Sequence, residues 1–299
     1  MNGGQESTNS QGIGDYIRPK FGQRFLRDGG EVYSHNAWDN VSWTAEQMSQ
    51  ASSQIAENSA DVLPNDIKEL HAAAAADYWD KFYAQHQDKF FKDRSWISAE
   101  FPELFASTSK KCCYFYILLY TDGKIFEVGC GVGNTTIPIL RGNTTKNFFL
   151  YTSDFSSNAI ELLKKSPEYD PFRCHAFTFD ITKTDTVLPF TTGSIDIIVM
   201  IFVLSAISPD EFYTVLKNLA SYLKPGGLFL FRDYGREELR QLFSSCGLEE
   251  VENILDRRLI VNRKKELKMY RVWIQCKYKK PICSLSFECF QRCHLNSSL

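Results

Sequence analysis

The chain has 299 residues, of which 43% are hydrophobic, 14% aromatic and 23% charged. That length suits one large domain, or one domain with an extension, and the aromatic share is enough to fill a core. A formal net charge of −2 gives no chain-wide cationic field, so nucleic-acid binding would have to come from a local patch. Nine cysteines show no paired spacing in the body of the chain, which reads as free thiols in a reducing, cytoplasmic setting. The N-terminus lacks the apolar core of a signal peptide, and the most apolar run, CCYFYILLY at 112–120, is too short to span a bilayer.

In chain order, residues 1–17 are rich in Gly, Ser, Asn and Gln and read as a disordered tail. Residues 18–104 read as a helical extension. Thr44 is placed to cap a helix over 45–57, and a second helix is expected over 65–87. Trp79, Phe82, Tyr83 and His86 share a face of that second helix, and Pro102 ends regular structure. From 105 to 281 the pattern changes, and apolar runs alternate with amphipathic helices. KIFEVGC leads to a helix from Asn134, NFFLYTSD to a helix from Ser157, and CHAFTFD follows. SIDIIVMIFVLS then leads to a helix from Pro209 and GGLFLFRDYG to a helix over EELRQLFSSCGL. Strand–helix alternation of this kind predicts an α/β fold with a parallel sheet covered on both faces. LKPGG at 223–227 reads as a turn, and two strands are expected near 249–256 and 269–277. Residues 282–299 read as a ragged tail. Cys283, Cys289, Cys293 and His294 there lack the paired spacing of a zinc site, so no metal is assigned.

IFEVGCGVGN places Gly129, Gly131 and Gly133 after the first strand of this pattern. Glycine at that point lets the backbone turn tightly and come close to a ligand. Asp154 ends the next strand, where an acid can accept from ribose hydroxyls or cap the helix that follows. Asp180 ends the third, where it can meet an adenine amino group. The third glycine sits too early for a nicotinamide GxGxxG. The E-V-G-C-G-x-G form, with Glu127 ahead of the glycines, resembles motif I of class I methyltransferases; the likeness favours S-adenosylmethionine, which Glu127 would bind through water or serve by orienting the loop.

The motifs VGCGVGN, SDFSSNAIEL, IFVLSAISPD, LKPGG, FRDYGR and DRRLIVNRKKELKMYRVWIQCKY resemble the tRNA N3-methylcytidine methyltransferases, in their methyltransferase-like two/eight branch. So do FGQRFLRD, HNAWDNVSW, YWDKFYAQHQDKFFKDRSW and EFPEL, and the likeness spans most of residues 18–281. The resemblance implies a class I, Rossmann-like S-adenosylmethionine-dependent methyltransferase acting on a cytidine of a tRNA anticodon loop, with an accessory protein as a possible further partner. It implies that the glycine loop, Asp154 and Asp180 bind the cofactor, that Ile181 and Ile201 pack its adenine and ribose, and that Trp79 and Tyr83 contact it from the N-terminal helix.

Cytidine N3 carries an in-plane lone pair and needs exposure and alignment more than a base. The product is cationic, so a nearby carboxylate would favour the transfer. Asp233 of FRDYG is the candidate, with Tyr234 to stack on the base. Residues 256–280 hold ten Lys or Arg against two Asp or Glu, with Tyr270, Trp273 and Tyr278 interleaved, a pattern suited to phosphates or to a solvated basic hairpin. Arg257, Arg258 and Arg263 there, with Arg232 and with Lys92 and Arg94 of FFKDR, are the candidate RNA contacts.

Two departures from the family pattern matter. Arg236 leads straight into EELRQLFSSCGL, without the family's intervening segment beside the substrate pocket, and KKCCYFYILLYTDGK replaces a polar linker. Two further readings therefore stay open: methylation of a protein or small molecule, and a catalytically impaired variant that binds RNA or a partner. Asp154→Ala is expected to weaken cofactor affinity in calorimetry while leaving tRNA retention in gel shifts unchanged.

Overall fold

A computed structural model describes residues 24–60, 62–105, 123–143, 148–235 and 239–282. The apolar runs of the second half form parallel strands β2 (Gly123–Val128), β3 (Phe148–Asp154), β4 (Cys174–Thr178), β5 (Ile195–Ile201) and β6 (Leu223–Tyr234). Every residue of β5 is buried, as expected of a central strand covered on both faces. Two antiparallel strands, β7 (Glu249–Asn262) and β8 (Leu267–Lys279), complete the C-terminal side, with β8 inserted against β6. A short strand β1 (Ala37–Asp39), not anticipated from sequence, pairs with the far end of β7. The described strands form one sheet in the order β1-β7-β8-β6-β5-β2-β3-β4. The connection reverses direction between β2 and β5, and ligands on open α/β sheets bind at that reversal, beyond the strand ends.

Successive side chains of a strand point to opposite faces. Phe126, Ile198, Met200, Phe229 and Phe231 therefore join one core layer with α7 (Phe212–Tyr222) and α8 (Leu239–Ser245). Ile125, Ile197, Val199 and Leu230 join the other, with α4 (Ile97–Glu100), α5 (Thr136–Gly142) and α6 (Ser157–Lys165). LKPGG is not a free turn. Leu223–Gly227 already belong to β6, where Gly226 (φ +82°) donates to the Lys280 carbonyl and Lys280 donates back to Gly227.

The extension contains α1 (Ala45–Ala60), α2 (Asn65–Ala73) and α3 (Ala75–His86). Thr44 and Gln47 cap α1 reciprocally: the Gln47 N–H meets Thr44 Oγ1 at 3.2 Å and the Thr44 N–H meets Gln47 Oε1 at 2.9 Å. The single helix expected over 65–87 bends at Ala74 (φ −92°, ψ 3°). Nothing in the alanine-rich sequence calls for a break there. Beyond it, α3 is committed to a tertiary contact with α6, whereas neither α1 nor α2 buries a residue.

A buried polar cluster ties the extension to the hairpin. Arg232, 3% exposed, donates to Asp256 and Gln275, and Gln275 donates onward to Glu100 of α4 at 2.8 Å. Trp96 and Trp273 each lie 5.0 Å from the Arg232 guanidinium, an attraction that strengthens once water is excluded. Arg258 pairs with both Asp256 (3.1 Å) and Asp39 of β1 (3.2 Å). Removing one member leaves a desolvated charge without its counter-ion. Asp256→Ala is expected to cost about 3 to 5 kcal/mol in urea unfolding, whereas the apolar pair Arg232→Met with Asp256→Leu is expected to cost much less.

Candidate functional site

The loop between β2 and α5 turns through three left-handed glycines, with φ of +66° at Gly129, +55° at Gly131 and +95° at Gly133. A side chain at any of them would be strained, and each Cα is also pressed by a neighbour. Val203 packs on Gly129, the Tyr83 hydroxyl lies 2.7 Å from the place of a Gly131 Cβ, and Leu163 packs on Gly133. The expected tight turn is present. The space that the missing side chains leave is filled by the protein itself.

Tyr83 reaches the loop because α3 is pinned to the start of α6. Asp80 accepts from the Ser156 hydroxyl, from the Asn158 N–H at 3.1 Å and from the Ser157 hydroxyl at 3.3 Å. Trp79 stacks on Tyr83 at 5.9 Å, and Tyr83 joins Val132 and Ala159 in a small cluster. Burial, followed by the neighbouring Asp154 carboxylate, pushes the Tyr83 phenol above its usual range.

Asp154, 9% exposed, accepts from the Gly131 N–H at 2.7 Å and the Ser156 N–H at 2.9 Å. It does not itself cap α6; the Ser156 hydroxyl does, accepting from the Ala159 N–H at 3.1 Å. Burial raises the Asp154 carboxyl above its ordinary value, against the two backbone donors. Glu127 turns inward, accepting from the Thr136 hydroxyl at 2.6 Å, and so orients the loop from beneath. Asp180 is half-buried and accepts from the N–H and hydroxyl of Thr182 at 3.0 and 2.7 Å. Ile181 packs against one core layer. Ile201, 3% exposed, is a core residue of the other layer, at the C-terminal end of β5.

The other half of the site lies at the ends of β5 and β6. Asp233 is 1% exposed and accepts from the Ser205 N–H at 3.1 Å and the Tyr234 N–H at 2.7 Å. It anchors the loop after β5 and does not pair with Arg232. Tyr234 is 52% exposed. Arg94 lies between the halves. Its N–H donates to the Asn134 carbonyl and its guanidinium to Thr135 Oγ1 at 2.6 Å, within electrostatic reach of Glu127 and Asp233.

Arg94 therefore stands inside the site and latches the glycine loop. Arg232 and Arg258, expected as RNA contacts, are instead buried and ion-paired in the cluster beneath. Lys92, Arg257 and Arg263 remain exposed. Much of the basic stretch is engaged elsewhere: Lys277 with Glu103 and Glu252, and Lys280 with the carbonyls of Ala220, Ser221 and Leu223. Its exposed charge lies at the hairpin tip, at Arg263, Lys264, Lys265 and Lys268, and at Arg257 and Arg271 farther down. Sequence reasoning missed Asp80 and Phe202. Asp80 carries no local signal, and Phe202 looks like one more residue of an apolar run. Cys283, Cys289, Cys293, His294 and the 106–122 segment lie outside the described residues. Among those described, no cluster of His, Cys, Asp or Glu has metal-binding geometry, and no helix is long and apolar enough to cross a membrane.

A sequence profile described as "Methyltransferase domain" matches residues 126–229. A solved structure titled "Conversion of a Disulfide Bond into a Thioacetal Group during Echinomycin Biosynthesis" shares the fold, with a TM-score of 0.52 at 10% identity, covering 74% of this chain and 98% of that one. The zebrafish (Danio rerio) tRNA N(3)-cytidine methyltransferase METTL2 is 42% identical over 317 residues, covering 88% of this chain and 90% of the relative. The Drosophila melanogaster tRNA N(3)-methylcytidine methyltransferase Mettl2 is 41% identical, covering 87% of this chain and 88% of its own. The mouse relative aligns over 353 residues at 39% identity, a span longer than this chain's 299 residues, so that relative carries residues with no counterpart here. At this identity and coverage, on a sheet whose order reverses beside a left-handed glycine loop, the chain belongs to the family of tRNA N(3)-cytidine methyltransferases.

Proposed function

We infer that the chain methylates N3 of a cytidine in the anticodon loop of tRNA, with S-adenosylmethionine as the methyl donor. The observation that carries this reading is the meeting of two halves at one sheet edge: the Asp154-held glycine loop, and the Asp233–Tyr234 corner, joined through Arg94. The cofactor supplies an electrophilic methyl on a positively charged sulfonium. The residues present suit it. A buried carboxylate at the end of β3 stands beside the loop's peptide groups, and Trp79 and Tyr83 close the approach from α3. We assign cofactor binding to Gly129, Gly131, Gly133, Asp154, Asp180, Trp79 and Tyr83, with Glu127 orienting the loop.

The remaining steps belong to the chain's own groups. Neutral cytidine N3 needs no proton removed before it reacts, so the enzyme's work is to expose the base, align it and keep water out. The buried Asp233 carboxylate places negative charge where the ring becomes cationic. Exposed Tyr234 offers a face for the base. The lysine and arginine side chains at the hairpin tip supply a patch for the phosphates, with affinity that falls as salt rises. A cytoplasmic site of action and an accessory protein for choosing among tRNAs belong to the same reading.

The specific observation behind the second reading, an impaired binder, is the extra length of the relatives' alignments. Nucleoside mass spectrometry separates the two. Incubation of the chain with tRNA and labelled S-adenosylmethionine is expected to yield 3-methylcytidine; retention of tRNA in a gel shift with no such product would overturn the reading.

Glu127 makes stability depend on pH. Burial, opposed by the Thr136 hydrogen bond and Arg94, raises its carboxyl from 4.5 to about 7. A raised folded-state value means that the native protein holds the proton more tightly than the unfolded chain does. The contribution is complete below pH 4.5 and is lost as pH rises through about 7. The unfolding free energy of the wild type is expected to fall relative to Glu127→Gln between pH 5 and 8, by on the order of 3 kcal/mol. Parallel urea titrations at the two pH values measure the difference.

A further inference from the structure

β5 ends at Ile201, and the chain turns at Phe202 with a φ of +58°. A phenylalanine in the left-handed region is strained, because its Cβ crowds the carbonyl oxygen that follows. Such strain persists only where the surroundings enforce it, and it collects where a side chain must be aimed. Here the Phe202 N–H donates to the Arg232 carbonyl at 2.7 Å, and Arg232 is itself locked between two tryptophans. The next residue, Val203, presses on Gly129, and Ser205 binds the Asp233 carboxylate. One short loop thus touches the cofactor loop, the carboxylate and the Phe202 ring.

That ring stands 5.7 Å from Tyr234 at 56° and 5.8 Å from Trp273 at 73°. The Arg94 guanidinium lies over it at 5.7 Å. Both aromatic neighbours meet it at steep angles, so neither lies flat on it. We propose that Phe202 is the platform on which the target cytosine stacks, with exposed Tyr234 flanking it at a tilt, and that the left-handed backbone at 202 serves to aim this ring. The inference rests on the tRNA-cytidine reading and adds to it the residue that holds the base. A base drawn out of its strand loses its stacking neighbours, and an aromatic face replaces them. Base–aromatic stacking corresponds to roughly a five- to 150-fold effect per base.

The test uses Phe202→Leu, which keeps an apolar side chain without a π face, and Phe202→Tyr, which keeps the face. Circular dichroism checks that both are folded. An anticodon-loop RNA carries the fluorescent analogue pyrrolocytidine at each cytidine in turn. Wild type and Phe202→Tyr are expected to quench the fluorophore at one position, and Phe202→Leu to leave it bright. With unmodified tRNA, Phe202→Leu is expected to lose about ten- to 100-fold in methyl transfer, with S-adenosylmethionine affinity unchanged within about twofold by calorimetry. Equal quenching by wild type and Phe202→Leu would overturn the proposal, as would a loss of cofactor affinity that matches the loss of activity. Quenching that depends on Phe202 in a wild type that forms no 3-methylcytidine would uphold the stacking role and overturn the activity instead.

Discussion

A buried carboxylate at the end of β3 is the constraint about which the site is arranged. Asp154 accepts from Gly131 and from Ser156, and so joins the glycine loop to the start of α6. Holding an anion there is costly, and burial raises its carboxyl accordingly. The cost is met by aimed backbone donors and by a loop whose left-handed turns admit only glycine without strain. Tyr83, Val203 and Leu163 pack directly on that loop, so its shape is set before any ligand arrives.

The extension is part of this arrangement and not an appendage to it. Asp80 pins α3 to the first residues of α6, Arg94 bonds both the backbone and the side chains of the glycine loop, and β1 lengthens the sheet. Glu100 and Trp96 meet Arg232 and Gln275 from the hairpin side. An RNA contact on the extension or on the hairpin is therefore connected through packed, hydrogen-bonded groups to the corner that holds Asp233 and Phe202. Helices α1 and α2 stand outside this frame, and neither buries a residue.

The placement of charge follows the same economy. The basic stretch has a local excess of eight positive charges, yet its members separate by position along the hairpin. Several near the body become structural. Arg258 and Lys277 neutralise acids of the extension and of β7, and Lys280 gathers carbonyls at the end of α7. Those near the tip stay in water, where they are available to phosphates.

The chain's order of strands and helices, its glycine turn and the acids ending its strands were legible in the sequence, because periodicity and left-handed turns are local properties of the backbone. So was the family, through FRDYG and the motifs around it. Tertiary structure decided the rest. Whether an arginine meets water or a buried aspartate depends on which strand lies beside it, and Arg232 and Arg258 look no different in sequence from Arg257. Asp80 became a clamp only when α6 arrived beneath it. Phe202 reads as one more apolar residue until β6 draws its N–H to the Arg232 carbonyl and forces the turn. Partners far apart in sequence supply each of these constraints, and composition and spacing carry no record of them.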